Sequence, residues 1–92
     1  MNIDLWLCQI KAEIRYKNIS FEYFVKCFAL LSNLINLEHN QAALAFANSL
    51  KNASVIINSL NEQKEYFIYY NNLNDIINNL EQKLQNKVIK VR

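Results

Sequence analysis

The chain has 92 residues, a net charge of +2, 52% hydrophobic and 20% charged residues, and neither glycine nor proline. That length supports one domain with a thin core, since a domain this small buries only ~60–65% of its unfolded surface. The composition excludes a disordered tail, the charge does not point to nucleic acid, and the missing residues remove the usual hairpin turns and helix breakers. An all-α fold without β-sheet is therefore expected.

Taken in chain order, Ile3, Leu7, Ile10 and Ile14 recur every three or four residues, with Trp6 beside them. This predicts a helix over about 3–17 that Asn2 or Asp4 can cap. Ser20 can cap the next helix, over 21–37, which is apolar nearly all round: Phe21, Phe24, Val25, Phe28, Leu31, Leu34 and Ile35. Such a helix is central or two-faced. Glu38 to Asn40 form a short polar turn, in which Asn40 can cap and tolerates left-handed geometry. Ala43, Ala47 and Leu50 then align on one side of a third helix, and their small size invites close approach by a neighbour. A turn follows at Lys51–Ser54, with Ser54 as a candidate cap. Ser59 and Glu62 form a competing capping box.

The segment Lys64–Asn72, KEYFIYYNN, concentrates four rings in five positions. With residues 55–70 placed on a helix, Ile56, Leu60 and Phe67 form one stripe, extended by Ile57 and Ile68, and this is the expected core side. Tyr66, Tyr69 and Tyr70 fall on another arc with Ser59 and Glu62, which suits a half-polar binding ledge. The alternative is a continuous helix in which Tyr66, Tyr70, Leu73, Ile77, Leu80 and Leu84 form one seam and the tyrosines are core. Asn72 and Asp75 make a plausible cap pair, so the preferred architecture has five helices broken at Asn71–Asn72. A four-helix bundle, with its last helix running from about 62 to 88, is the alternative.

Catalytic and cofactor signatures are missing from the residues. The acidic side chains form no close pair, His39 is the single histidine and lies in a turn, and no zinc, phosphate-loop or nucleophile–base pattern occurs. A non-enzyme without cofactor or metal is expected. Cys8 and Cys27 sit among apolar residues as buried thiols do. Lys87, Lys90 and Arg92 make a basic tail that reads as a solvated end. The early Asp4 and lack of a basic n-region argue against a signal peptide, and no apolar run is long enough to span a bilayer. These features predict a cytoplasmic protein that engages neither membrane nor nucleic acid.

The stretch LLSNLINLEHNQAALAFANSL resembles one tetratricopeptide-type helical hairpin. Leu30 and Leu34 stand at its large apolar positions, Ala43 at the small residue opening the second helix, and Leu50 near its end. Glu38 replaces the turn glycine, Ala47 is smaller than the usual aromatic, and no proline follows. With EYFIYYNNLNDIINNLEQKL, the similarity over residues 28–86 extends to the small tetratricopeptide-like chaperones of the bacterial type III secretion needle subunit. That resemblance implies a cytoplasmic chaperone that cradles the amphipathic helix of the needle subunit, with a small helical co-chaperone on another face. The groove would be lined by Val25, Phe28, Ser32 and Ile35, then Glu62, Tyr66, Tyr69 and Tyr70. The competing expectation is a compact helical inhibitor, immunity protein or antitoxin that acts by protein–protein binding.

Overall fold

A computed structural model describes the backbone of residues 3–90 and the side chains of residues 5 and 7–85. The cap at Asn2 or Asp4, Trp6, and the tail cations Lys87, Lys90 and Arg92 lie outside the described side chains. The elements are α1 (Ile3–Tyr16), β1 (Ile19–Ser20), α2 (Phe21–Asn36), α3 (Asn40–Lys51), β2 (Val55–Ile56) and α4 (Leu60–Lys90). The fold is thus predominantly helical, with four helices among the described residues.

Each boundary has a local cause. Ser20 caps α2, its hydroxyl accepting the Tyr23 backbone N–H at 3.1 Å. The end of α2 is a Schellman turn: the Glu38 N–H donates to the Ile35 carbonyl and the His39 N–H to that of Leu34, both at 3.0 Å. Glu38 takes φ = 60° there, where a Cβ is unfavourable, so the left-handed position falls on Glu38 and not on Asn40. His39 takes the N-cap position of α3 without a side-chain capping bond, and Asn40 is already helical. The Ser59 box, rather than Ser54, opens α4: the Ser59 hydroxyl accepts the Glu62 N–H at 3.1 Å. A Glu62 carboxylate oxygen accepts the Asn58 N–H at 3.0 Å.

Two expectations about chain path are corrected. Residues 55–56 are not helical: the β-branched run Val55–Ile56–Ile57 favours extended backbone, and β2 pairs in parallel with β1, Ile19 against Val55 and Ser20 against Ile56. This small ladder joins two interhelical links and needs no hairpin turn, so the lack of glycine and proline does not forbid it. The break at Asn71–Asn72 is also absent, and α4 runs for 31 residues. Its seam of apolar residues continues on both sides of the asparagines, and packing along it outweighs the weak capping preference of Asn72.

The core is built around α3, which packs against α1, α2 and α4. Ala43 and Ala47 are fully buried, as their spacing predicts, and let neighbouring backbones come close. Phe24, Leu31, Phe46, Leu50 and Leu73 complete the fully enclosed set. Leu7 and Ile14 bury the expected stripe of α1, and Leu73, Ile77 and Leu80 bury that of α4. Cys27 is buried, whereas Cys8 is exposed, contrary to the expectation of two buried thiols.

The order helix–strand–helix occurs twice, as α1–β1–α2 and α3–β2–α4. Aligned on the Ile19–Val55 pair, Leu7 matches Ala43, Ile10 matches Phe46, and Ile14 matches Leu50. All six belong to the core or pack against it. The chain is thus two similar helix–strand–helix units, each burying one helical stripe and contributing one strand to the ladder.

Candidate functional site

The segment expected to form the binding ledge lies at the α2–α4 interface. Tyr69 contacts three phenylalanines of α2: Phe28 with ring centroids 4.9 Å apart, Phe24 at 6.0 Å and Phe21 at 6.1 Å. All three contacts are edge-on. Tyr66 lies 5.3 Å from Phe24 and 6.0 Å from Tyr70. Edge-to-face pairs add ~0.5–1.5 kcal/mol each to the burial of the rings. Tyr66 and Tyr69 therefore fill the space between α2 and α4 with wide side chains. Burial, with the neighbouring Tyr70 second, raises the pKa of the Tyr66 hydroxyl.

The structure gathers Phe28, Tyr66, Tyr69 and Tyr70 into one half-buried aromatic cluster. The other proposed groove residues are spread around it. Val25 and Ile35 are half-buried on α2, and Ile35 packs against the core. Ser32 is exposed and its hydroxyl donates to the Phe28 carbonyl at 3.3 Å. Glu62 is occupied as a cap at the start of α4.

The opposite side of α4 is where the sequence expectation reverses. Phe67 and Ile68, assigned to the core stripe, are 57% and 61% exposed, and Leu60 is 78% exposed. The cause is geometric. Leu73, Ile77 and Leu80 fix the inward direction of a continuous helix, and at about 100° per residue Tyr66, Tyr69 and Tyr70 follow that direction while Phe67 and Ile68 turn away from it. The signal was present in the sequence as the Tyr66–Leu84 seam, but it depends on the helix being unbroken at Asn71–Asn72.

Beside Phe67 the chain leaves a shallow groove of about 500 Å³ at the start of α4, lined by Ile57, Leu60, Gln63, Tyr66 and Phe67 among others. Its floor is the link that carries β2, and its wall is the outer face of the first two turns of α4. Its apolar members Ile57, Leu60 and Phe67 can accept the hydrophobic side of another helix, with Asn58, Ser59 and Gln63 as polar neighbours.

A second recess of about 330 Å³ lies between α1 and α2, lined by Ile10, Glu13, Tyr23, Lys26, Cys27 and Leu30 among others. There the Tyr23 hydroxyl donates to a Glu13 carboxylate oxygen at 2.8 Å. Burial, helped by that bond and by the charges of Cys27 and Glu13, pushes the Tyr23 hydroxyl up to about 12. Burial, with Glu13 second, pushes the Cys27 thiol up to about 11, which keeps it protonated and a poor nucleophile at neutral pH.

Among the described residues no three His, Cys, Asp or Glu side chains converge as a metal cage, and no buried side chain is polar or charged. No described helix is both long and apolar enough to cross a membrane. No protein-family model, curated protein or solved structure matches the chain.

Proposed function

We propose that the protein is a non-catalytic cytoplasmic adaptor that binds an amphipathic helix of a protein partner. The observation that carries this reading is the exposed apolar shoulder of α4. Leu60, Phe67 and Ile68 stand in solvent beside the groove that also holds Ile57. Placing three large apolar side chains in water on one segment forgoes burial worth ~1.5–3 kcal/mol each, which a docked helix would recover. Within this class the sequence resemblance favours a type III secretion chaperone, with the needle subunit as partner and a small helical co-chaperone on a second face. The short α2–α3 connection, Leu37 to His39, is compatible with a tetratricopeptide-like hairpin. The docking surface is then the outer face of α4 with Tyr66 at the edge of its groove, while Tyr69 serves the α2–α4 packing.

The test is co-expression with a needle subunit and its co-chaperone, followed by size-exclusion chromatography with light scattering. The adaptor reading expects a defined complex with the partner as a monomer, lost in Phe67→Ser. A second reading, a compact helical inhibitor, immunity protein or antitoxin, is favoured by the tyrosines lying in the aromatic cluster of a four-helix fold. It expects the chain to run alone as a stable monomer and to leave the needle subunit unbound.

A further inference from the structure

A groove of about 680 Å³ lies away from the α4 shoulder, between α1 and α3. Its α1 wall carries Lys11 and Arg15, one helical turn apart. Its α3 wall carries Asn48 and Ser49, and Asn52 follows at the C-cap. The buried Ile14 contributes to the apolar lining. Among the described residues no acidic side chain lines the groove. Among the described residues neither Lys11 nor Arg15 makes an ion pair, and the only such pair is Lys26–Glu22 on α2. The Arg15 guanidinium rests 5.6 Å from the ring centroid of Tyr16, which also lines the groove, and this contact does not neutralise the cation. Asn48 and Asn52 are also one turn apart, so both walls offer hydrogen-bond donors at the same ~6 Å spacing.

We infer that the α1–α3 groove is a docking site for an acidic helical segment of a protein partner. Carboxylates four residues apart on such a helix have the spacing of Lys11 and Arg15. Their remaining oxygens face the carboxamides of Asn48 and Asn52, and an apolar residue between them reaches the Ile14 side. Complementary charge sets the register and speeds encounter, while the apolar contact adds residence time. This site is separate from the α4 shoulder and does not depend on what binds there.

The test uses the full chain and a fluorescein-labelled helical peptide with glutamates four apart flanking a leucine, followed by fluorescence anisotropy. Wild type should bind it, weakening as salt is raised from about 50 to 300 mM because the charges are solvent-accessible. Lys11→Glu combined with Arg15→Glu should weaken binding by about ten-fold or more, and Lys11→Ala combined with Arg15→Ala by several-fold. Lys64→Glu, on α4, should leave it within about two-fold. Circular dichroism melts report whether each variant is folded, and the alanine pair and the wild-type salt series stand independently of the charge reversal. Equal binding by the alanine pair, salt-independent binding, or equal binding of the peptide with every glutamate changed to glutamine would overturn the assignment. So would tighter, Lys11- and Arg15-dependent binding of labelled oligothymidine, which would reassign the groove to a phosphate backbone.

Discussion

The ring of Phe28 meets the ring of Tyr69 edge-on, with centroids 4.9 Å apart. It is the closest of the described ring contacts and one of four ring pairs that join α2 to α4. The pair should therefore be energetically coupled. In a double-mutant cycle on Phe28→Ala and Tyr69→Ala, the interaction energy should be ~0.5–1.5 kcal/mol, measured by urea unfolding. Tyr69→Phe should cost less than ~0.5 kcal/mol, because the ring rather than the hydroxyl makes the contacts.

The left-handed Glu38 should respond to residues that tolerate its geometry. Glu38→Asn and Glu38→Gly are expected to raise stability by up to ~1 kcal/mol, because the L-residue penalty at φ = 60° is relieved while both Schellman bonds are kept. Glu38→Val should lower it, since a β-branched side chain is least at home there. Thermal melts of the three variants decide this.

The helix starts make opposite predictions at two caps. Ser59→Ala should lose ~1 kcal/mol, by removing the oxygen that accepts the Glu62 N–H. His39→Asp should gain ~0.5–1 kcal/mol, because α3 has no side-chain cap and Asp also suits the positive end of the helix dipole. Opposite shifts in the urea midpoint, at constant slope, are the expected pattern.

Alkaline pH should unfold the chain in a defined window. The folded-state pKa values of Cys27 and Tyr23 are raised, to about 11 and about 12 from ordinary values of 9.0 and 10.0. Unfolding therefore releases protons above the ordinary values. Stability is fully present below pH 9, falls as pH rises from 9 towards 12, and levels off above both folded values. Cys27→Ala should move the onset of that fall from near pH 9 to near pH 10, read from midpoints across the pH series. At pH 8 an aromatic disulfide reagent should label exposed Cys8 quickly and Cys27 only as fast as the chain opens.

The helices with strong periodicity and a local cap were legible in the sequence. The Ile14 stripe, the Ser20 cap and the small face at Ala43 and Ala47 each have one physical solution, and each appears as expected. What failed was long-range. Val55–Ile57 is apolar at a spacing that also fits a helix, and only the pairing of Val55 with Ile19 and of Ile56 with Ser20 settles its first two residues as a strand. The helix direction at Asn71–Asn72 depends on packing from Leu73 onward, because asparagine is a weak helix former rather than a breaker. Once that break was expected, the wrong side of the helix followed, and Phe67 exchanged places with Tyr69. The aromatic cluster was visible as a composition anomaly, but its partners Phe21, Phe24 and Phe28 lie some forty residues upstream, beyond any local pattern.

The most direct test compares Tyr69→Ala with Phe67→Ser in parallel urea unfolding. The inward tyrosines and the free outer face of α4 predict a loss of ~2–4 kcal/mol for Tyr69→Ala and less than ~0.5 kcal/mol for Phe67→Ser. If Phe67→Ser unfolds the chain as badly as Tyr69→Ala, or Tyr69→Ala leaves it as stable as wild type, then the outer face is not free and the proposed docking surface on α4 is wrong.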